Sequence, residues 1–342
     1  MKKSRMLLCF GCVFAMMMSM FCFKASAFTF TNGDFGFELD TFEKTSALVE
    51  YTGTNQTVSV PSGYSTYKLT KIKRSAFSGN TTAQIINLPT TVTSIEAEAF
   101  ANCTSLTTFT VMSNISNYGS GLLANCSSLQ SAYILSAKTS LPDNTFQNCS
   151  ALTNVELSNS ITSLGNQCFY GCTSLTSAPF LSQITAIGEF AFYNSGLEAV
   201  TIPDAMTVIP AYSFAECDNL TRVDIPASVV SIAPTAFYND PNLTLGVWYG
   251  TAGYDYAIEQ NIPYVLLDGV KLGDVNGDDS VNINDVTTIQ RHLAQLEQIE
   301  GIYLYAADSN QSGDLDISDA TTVQQFLAQY QLPHPIGEVM TQ

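Results

Sequence analysis

A period of 23 residues runs through most of this chain, and it limits what the chain can fold into. A large apolar residue recurs at Phe77, Phe100, Leu123, Phe146, Phe169, Phe192, Phe214 and Phe237. The single step of 22, from Phe192 to Phe214, has a visible cause: Asn194-Ser195-Gly196-Leu197 is one residue shorter than its equivalents. Three positions after the opening residue stand Cys103, Cys126, Cys149, Cys172 and Cys217. Six positions after stand Leu106, Leu129, Leu152, Leu175, Leu220 and Leu243. Alternating pairs such as Val155/Leu157 and Val223/Ile225 then read as short strands, and pairs such as Ile161/Leu164 close the unit. One such unit cannot bury its own apolar face, so the copies must stack on one another.

The leucine-rich core at this period reads as a leucine-rich-repeat solenoid. The phrases SVVSIAPTAF and SITSLGNQCFYGCTSLTS are more specific. They resemble the BspA-like leucine-rich repeats of bacterial surface and secreted proteins, over about residues 30–267. The expected fold is a β-rich solenoid of about eight repeats followed by a small all-α calcium-loop domain. Expected boundaries are a signal peptide at 1–27, a cap and first repeat at 28–75, the solenoid with its carboxy-terminal cap at 76–267, and the second domain at 271–342.

Residues 1–27 carry the marks of a signal peptide: Lys2, Lys3 and Arg5, an apolar run from Leu7 to Phe23, and the small-residue site Ala25-Ser26-Ala27. Their removal takes away Lys2, Lys3, Arg5 and Lys24 but no acid. The whole chain already has a net charge of −17. Such a chain is a poor partner for nucleic acid or an anionic membrane surface, and it suits calcium. No membrane insertion is expected after cleavage.

The cysteines need a separate reading, because an even number in an exported protein ordinarily suggests disulfides. Five of the six outside residues 1–27 share one repeat position, where Ser195 and Asp240 also occur. Rungs about 4.8 Å apart would align their side chains in parallel, which does not bring sulfurs together well. Free buried thiols are expected. Cys168, beside Phe169, is read as having no repeat equivalent.

Exposed strand positions are where a solenoid offers contacts. One row reads Asn87, Thr110, Tyr133, Glu156, Pro179, Thr201 and Asp224: polar, mildly acidic and without an aromatic stripe. It is either a solvated sheet face or a contact surface for an unknown protein or glycan. Trp248 is expected to pack in the carboxy-terminal cap. No histidine precedes residue 292, so the solenoid has no Ser-His-Asp or Cys-His pair. Glu156, Glu189, Glu198 and Asp224 could pair as glycosidase carboxylates, but nothing in their spacing selects a pair.

Composition changes near Asp268-Gly269, and GDVNGDDSVNINDVTTIQRHL follows. Asp274, Asn276, Asp278, Ser280, Asn282 and Asp285 occupy positions 1, 3, 5, 7, 9 and 12 of a calcium loop. Oxygens at alternate positions can converge on one hard cation. Position 7 would use its main-chain carbonyl. A second copy holds Asp308, Asn310, Ser312, Asp314, Asp316 and Asp319. Two calcium ions are therefore expected. Each loop leads into a helix, with Val286, Ile289, Leu293 and Leu296 on one apolar face and Ala320, Val323, Leu327 and Tyr330 on the other. No entering helix is expected before the first loop, which argues against a full EF-hand pair. The solenoid is expected to share few residues with this domain.

The duplicated loop and helix, with Asp at position 12, resemble a dockerin over about residues 271–333. The resemblance implies a cohesin module of a cellulosome-like scaffold as partner. It also implies cohesin contacts at Ile283, Asn284, Gln290 and Arg291, and at Ile317, Ser318, Gln324 and Gln325. Two departures stand out. Asp279 replaces the usual Gly at position 6, where a left-handed turn is wanted. Ser312 replaces the usual acid at position 5, which would weaken that site. The expectation is a secreted, non-catalytic binding protein held at the cell surface through the scaffold. Alternatives are an enzyme or inhibitor in polysaccharide degradation, or a surface adhesin.

Overall fold

The computed structural model describes residues 29–332 and 336–337. The expected signal peptide lies outside the described residues. The chain begins with an antiparallel meander, Thr29–Asn32, Phe35–Asp40 and Thr45–Tyr51, whose last strand pairs in parallel with Tyr67–Ile72. Phe37 and Leu48 point from this meander into the core and are fully buried. It closes the open end of the stack, where the first repeat has no neighbour.

About ten turns of β-solenoid follow. One parallel ladder runs through Thr57–Ser59, Ile85–Asn87, Thr108–Val111, Ser131–Ile134 and Asn154–Leu157. Two-residue strands pair in parallel elsewhere on each turn, Ser94–Ile95 with Asn117–Tyr118 and, in a separate sheet, Ser140–Leu141 with Ser163–Leu164. The opening residues fill the space between. Phe146 and Phe169 stack at 5.2 Å, Phe169 and Phe192 at 5.2 Å, and Phe192 and Phe214 at 5.4 Å. Their burial supplies the drive that no single repeat could.

Each turn also needs sharp corners. Two residues per turn, flanking the opening residue, take left-handed backbone. Gly79, Asn102, Asn125, Asn148, Gly171, Asn194, Glu216 and Asn239 stand two positions after it, and Ser75, Glu98, Gly121, Asn144, Gln167, Phe190 and Tyr212 two before. Asn and Gly tolerate this conformation best. The asparagines also bond to one another: Asn148 Nδ2 donates to Asn125 Oδ1 at 2.8 Å, and Asn125 Nδ2 to Asn102 Oδ1 at 3.1 Å. In the shortened repeat, Gly196 lets the chain cut the corner. Its N–H donates to Cys172 O, and a Cβ there would collide with Thr173 O.

All six described cysteines are free and buried. The ladder has a polar function as well as a packing one. Each thiol of Cys103, Cys126, Cys149, Cys172 and Cys217 donates to the carbonyl of the preceding opening residue, at 3.2 Å. Burial pushes the Cys149 thiol up to about 12 and the Cys217 thiol up to about 11. Cys168 does have equivalents: it fills the position of Ala99, Leu122, Thr145 and Ala191, all buried. The mixture of Ala, Leu, Thr and Cys there hides the position in the sequence.

The strand row predicted to be continuous is broken. Pro179 opens a 3-10 turn, Pro179–Gln183, where the ladder should continue. The sheet therefore stops at Asn154–Leu157 and a new one starts at Ala199–Thr201. Proline has no N–H to give to a ladder. Phe180 and Leu181 still fill the core, and an open groove of about 550 Å³ lies over the break.

The period ends in a cap: strand Thr244–Val247, helix α1 (Ala252–Glu259) and strand Tyr264–Leu266. Trp248 lies between them but is 40% exposed, so it does not pack into the cap as expected. Three more helices follow: α2 (Ile283–Leu293), α3 (Ile302–Ala307) and α4 (Ile317–Leu327). None precedes the first loop, whereas α3 enters the second. Val286, Ile289, Ala320 and Val323 form a second, small core with Val275, Ile299 and Ala307. Only the first half of each expected apolar face is covered. Leu293, Leu296, Leu327 and Tyr330 are exposed, and α2 and α4 stop before Leu296 and Tyr330.

The expectation of few shared residues is also corrected. Val270, Leu272, Ala306 and Ile336 belong to the solenoid's core. Gly273 N–H donates to Ala306 O, and Gly337 N–H to Leu272 O. A tyrosine cluster completes the joint: Tyr264 and Tyr305 hydroxyls lie 3.2 Å apart, and Tyr249 sits 6.0 Å from the Tyr305 ring. Residues of both units share this cluster, so apolar burial continues across the boundary.

Candidate metal centre

Each calcium-type loop is organised by the acids at its two ends. Asp274 Oδ1 accepts from the N–H of Gly277 and Asp278, and Oδ2 from Asp279. Asp285 Oδ1 accepts from Val275 and Asn276, and Oδ2 from Asn282. That last bond belongs to a capping box with Asn282, so one carboxylate both closes the loop and starts α2. The second loop repeats the design. Asp308 accepts from the N–H of Ser312 and Gly313, Asp319 from Asn310 and Asp316, and Asp316 caps α4.

The intermediate positions follow the same pattern. Asn276 and Asp278 side chains accept from the amides two residues on, and Asn282 Oδ1 from Asn284. In the second loop Asn310 Oδ1 accepts from Ser312 N. The position-7 carbonyls are both present, that of Ser280 receiving Asn282 Nδ2 and that of Asp314 receiving the Ser312 hydroxyl. The position-6 expectation is met: Asp279 has φ 66° and Gly313 φ 90°.

These loops fit a hard cation. Asp274 is 3% exposed, and Asp285 and Asp319 are fully buried. Among the described residues no lysine, arginine or histidine pairs with any of them. Burial, then the Asp285 charge, pushes the Asp274 carboxyl above the usual range, and burial does the same to Asp319. Uncompensated buried carboxylates are costly. Asp274 Oδ2, Asp285 Oδ2 and both Asp319 oxygens each accept a single amide, which leaves one lone pair on each for a metal. Among the described residues no three His, Cys, Asp or Glu side chains group closely enough to bind a metal alone. The set needs its Asn, Ser and carbonyl oxygens, as calcium's high coordination number would require.

The family descriptions agree with this geometry. "BspA type Leucine rich repeat region" matches in six copies, over residues 55–152 and 139–246. The chain belongs to the BspA-type leucine-rich-repeat family. "Dockerin type I domain" matches residues 272–328, directly after the BspA-type solenoid. Dockerin type I domains bind calcium and imply a cohesin partner, while the repeats imply a protein-interaction surface.

Among solved structures, a leucine rich cell surface protein from Faecalibacterium prausnitzii A2-165 is 26% identical, with a TM-score of 0.42, over 64% of this chain and 76% of that one. A leucine-rich repeat protein from Bacteroides ovatus ATCC 8483 is 20% identical, with a TM-score of 0.48, over 71% and 77%. Membership of the BspA-type family rests on the repeat match, not on these likenesses. No curated protein matches the chain. Among the described residues no helix is long and apolar enough to cross a membrane.

All eight contact candidates of the dockerin are exposed: Ile283, Asn284, Gln290 and Arg291 on α2, and Ile317, Ser318, Gln324 and Gln325 on α4. The solenoid covers neither set. Ile283 and Ile317 are large apolar side chains left in solvent, one at the start of each helix. The sequence reading missed two features. The tyrosine joint escaped it because Tyr249, Tyr264 and Tyr305 are far apart in the chain. An aromatic patch beside the opening residues escaped it because the patch lies off the strands, on the turns. The signal was the paired aromatics Phe169-Tyr170, Phe192-Tyr193 and Phe237-Tyr238.

Proposed function

We propose that this is a secreted, non-catalytic component of a cellulosome-like complex, held at the cell surface when its dockerin plugs into a cohesin. The reading is carried by one observation: two loop-helix units with buried, unneutralised carboxylates lead into two helices whose contact residues are all exposed. Two calcium ions would be held, one by Asp274, Asn276, Asp278, Ser280, Asn282 and Asp285. The other would be held by Asp308, Asn310, Ser312, Asp314, Asp316 and Asp319. Calcium supplies charge neutralisation there. The chain's own residues do the rest: Asp285 and Asp319 tie each loop to the first turn of its helix and so orient the contact face. The unit from about residue 271 onward would be the anchor, and residues 76–267 would present a contact surface.

The test is capture of the full chain on a panel of immobilised cohesin modules. Binding in millimolar calcium and release by chelator are expected. Equal capture in both conditions, or none on any cohesin, would sink the reading.

A further inference from the structure

One outer edge of the solenoid changes character part-way along. At the position after each opening residue the order is Ser78, Ala101, Ala124 and Gln147, then Tyr170, Tyr193, Ala215 and Tyr238. The amino-terminal half of this edge is a shallow hollow over small residues such as Ser78, Ala101 and Ala124. The carboxy-terminal half is aromatic. Tyr170 and Tyr193 stack at 4.9 Å and 8°, and Phe190 and Tyr212 at 4.8 Å and 11°. Phe190 joins the two pairs, 5.7 Å from Tyr193. Tyr238 meets Tyr212 edge-on at 72°, so its faces are not used by a parallel neighbour, and it is 58% exposed. None of these five rings is needed to fill the core, which the opening phenylalanines already occupy.

The charge around the rings is of one sign. From Thr139 to Thr221 the chain has no lysine, arginine or histidine, while Glu189, Glu198, Glu216 and Asp218 fall within it. Among the described residues neither Glu189 nor Glu216 has an ion-pair partner. Glu216 is held in place by Asn239 Nδ2 at 2.7 Å. Burial, followed by the Glu216 carboxylate and the phenols of Tyr170, Tyr212 and Tyr238, raises the Tyr193 hydroxyl above the ordinary tyrosine range. The ring contacts link Tyr170, Tyr193, Phe190, Tyr212 and Tyr238 into one row, and Glu216 bonds to Asn239, the chain neighbour of Tyr238.

We propose that this aromatic edge, Tyr170, Phe190, Tyr193, Tyr212 and Tyr238 with Glu216, docks a basic, arginine- or lysine-rich segment of a partner protein. A guanidinium can lie against a tyrosine ring and pair with a carboxylate at the same time. Tyrosine also brings large contact area at little entropic cost. The field repels anionic polymers. The proposal builds on the solenoid being the contact-bearing part of the protein and does not depend on the cohesin partner.

The test uses the calcium-loaded full chain and a fluorescent hexa-arginine peptide, read by anisotropy. Tyr193→Ala with Tyr238→Ala should weaken binding about tenfold. Glu216→Gln should weaken it about threefold, and Glu156→Gln on the strand face should leave it unchanged. Tyr193→Phe with Tyr238→Phe retains the rings and should bind like the parent. If the alanine variant melts early, Tyr193→Leu with Tyr238→Leu, which removes the rings but keeps apolar bulk, replaces it and should show the same loss. Full binding by a well-folded alanine variant would overturn the proposal. So would equal losses from Glu156→Gln and Glu216→Gln, because the attraction would then be diffuse charge. Ring-dependent binding of a neutral cello-oligosaccharide, with the peptide unaffected by ring loss, would make the edge a glycan platform instead. Cohesin capture by the same variants should not change, which keeps a failure here separate from a failure of the anchor.

Discussion

The solenoid and the calcium-loop unit are stabilised by different means. In the solenoid every rung buries a large apolar residue against its neighbours, and the Phe146–Phe169–Phe192–Phe214–Phe237 stack runs on without a charged group inside it. The loop unit has only a small core around Val286, Ile289, Ala320 and Val323, and it places Asp274, Asp285 and Asp319 in its interior. The first solution is additive, so one rung can be damaged without losing the rest. On the proposed reading the second would depend on a cation, whose loss should be felt throughout that unit at once. The difference shows why a binding surface and its anchor can share a chain yet respond to different conditions.

Calcium removal is expected to break the comparison most visibly. Chelation should remove the helical signal of α2 and α4 while the β-signal of the solenoid persists, giving two thermal transitions where calcium gives overlapping ones. Asp274→Ala with Asp308→Ala should mimic chelation and abolish cohesin capture. Because Ala306 and Ile336 pack into the solenoid's last rungs, a modest fall in the solenoid's own melting temperature is also expected. An unchanged circular dichroism spectrum in chelator would show that the loops do not need metal.

A blow to the solenoid core should be large but local. Phe146→Ala removes a fully buried ring between two rungs and should cost about 3–5 kcal/mol. Denaturant unfolding should show this loss while calcium-dependent cohesin binding stays intact. A smaller effect concerns Asp240, which stands where other rungs have cysteine. Burial raises its carboxyl to about 7, Cys217 N–H opposes the shift, and Glu216 and Asp218 add to it. Its Oδ2 is buried without a partner.

The folded protein therefore holds the Asp240 proton more tightly than the unfolded chain does. Stability from this group is full below about pH 4 and falls as pH rises to about 7. The loss should be on the order of 1–2 kcal/mol once partial exposure is discounted. Asp240→Asn should flatten that part of the curve of melting temperature against pH, and an unchanged slope would contradict the assignment.

The smallest effect belongs to the cysteine ladder. Cys149→Ala should cost about 1 kcal/mol, from a small cavity and one lost thiol bond to Leu123 O. All six described cysteines should titrate as free thiols after denaturation without reductant and react slowly before it. Fewer than six would show a disulfide framework, and the loss at Cys149 should then be several-fold larger.

Periodic information was legible in the sequence. The opening phenylalanines, the cysteine ladder, the strand pairs and both calcium loops could be found by counting, because each is set by contacts at a fixed separation of about one repeat or within one loop. Even the left-handed position at Asp279 follows from its place in the loop. What only the tertiary structure decided lies outside any single period. Pro179 and Phe180 sit in register with their equivalents, yet the missing N–H turns that rung into a 3-10 turn and splits the sheet. Tyr249, Tyr264 and Tyr305 meet only because the cap and α3 fold against each other. Tyr170, Phe190, Tyr193, Tyr212 and Tyr238 become one surface only when the turns stack. A repeat fixes which residues share a rung position, and the pitch and corners of the folded solenoid fix which of those positions become neighbours.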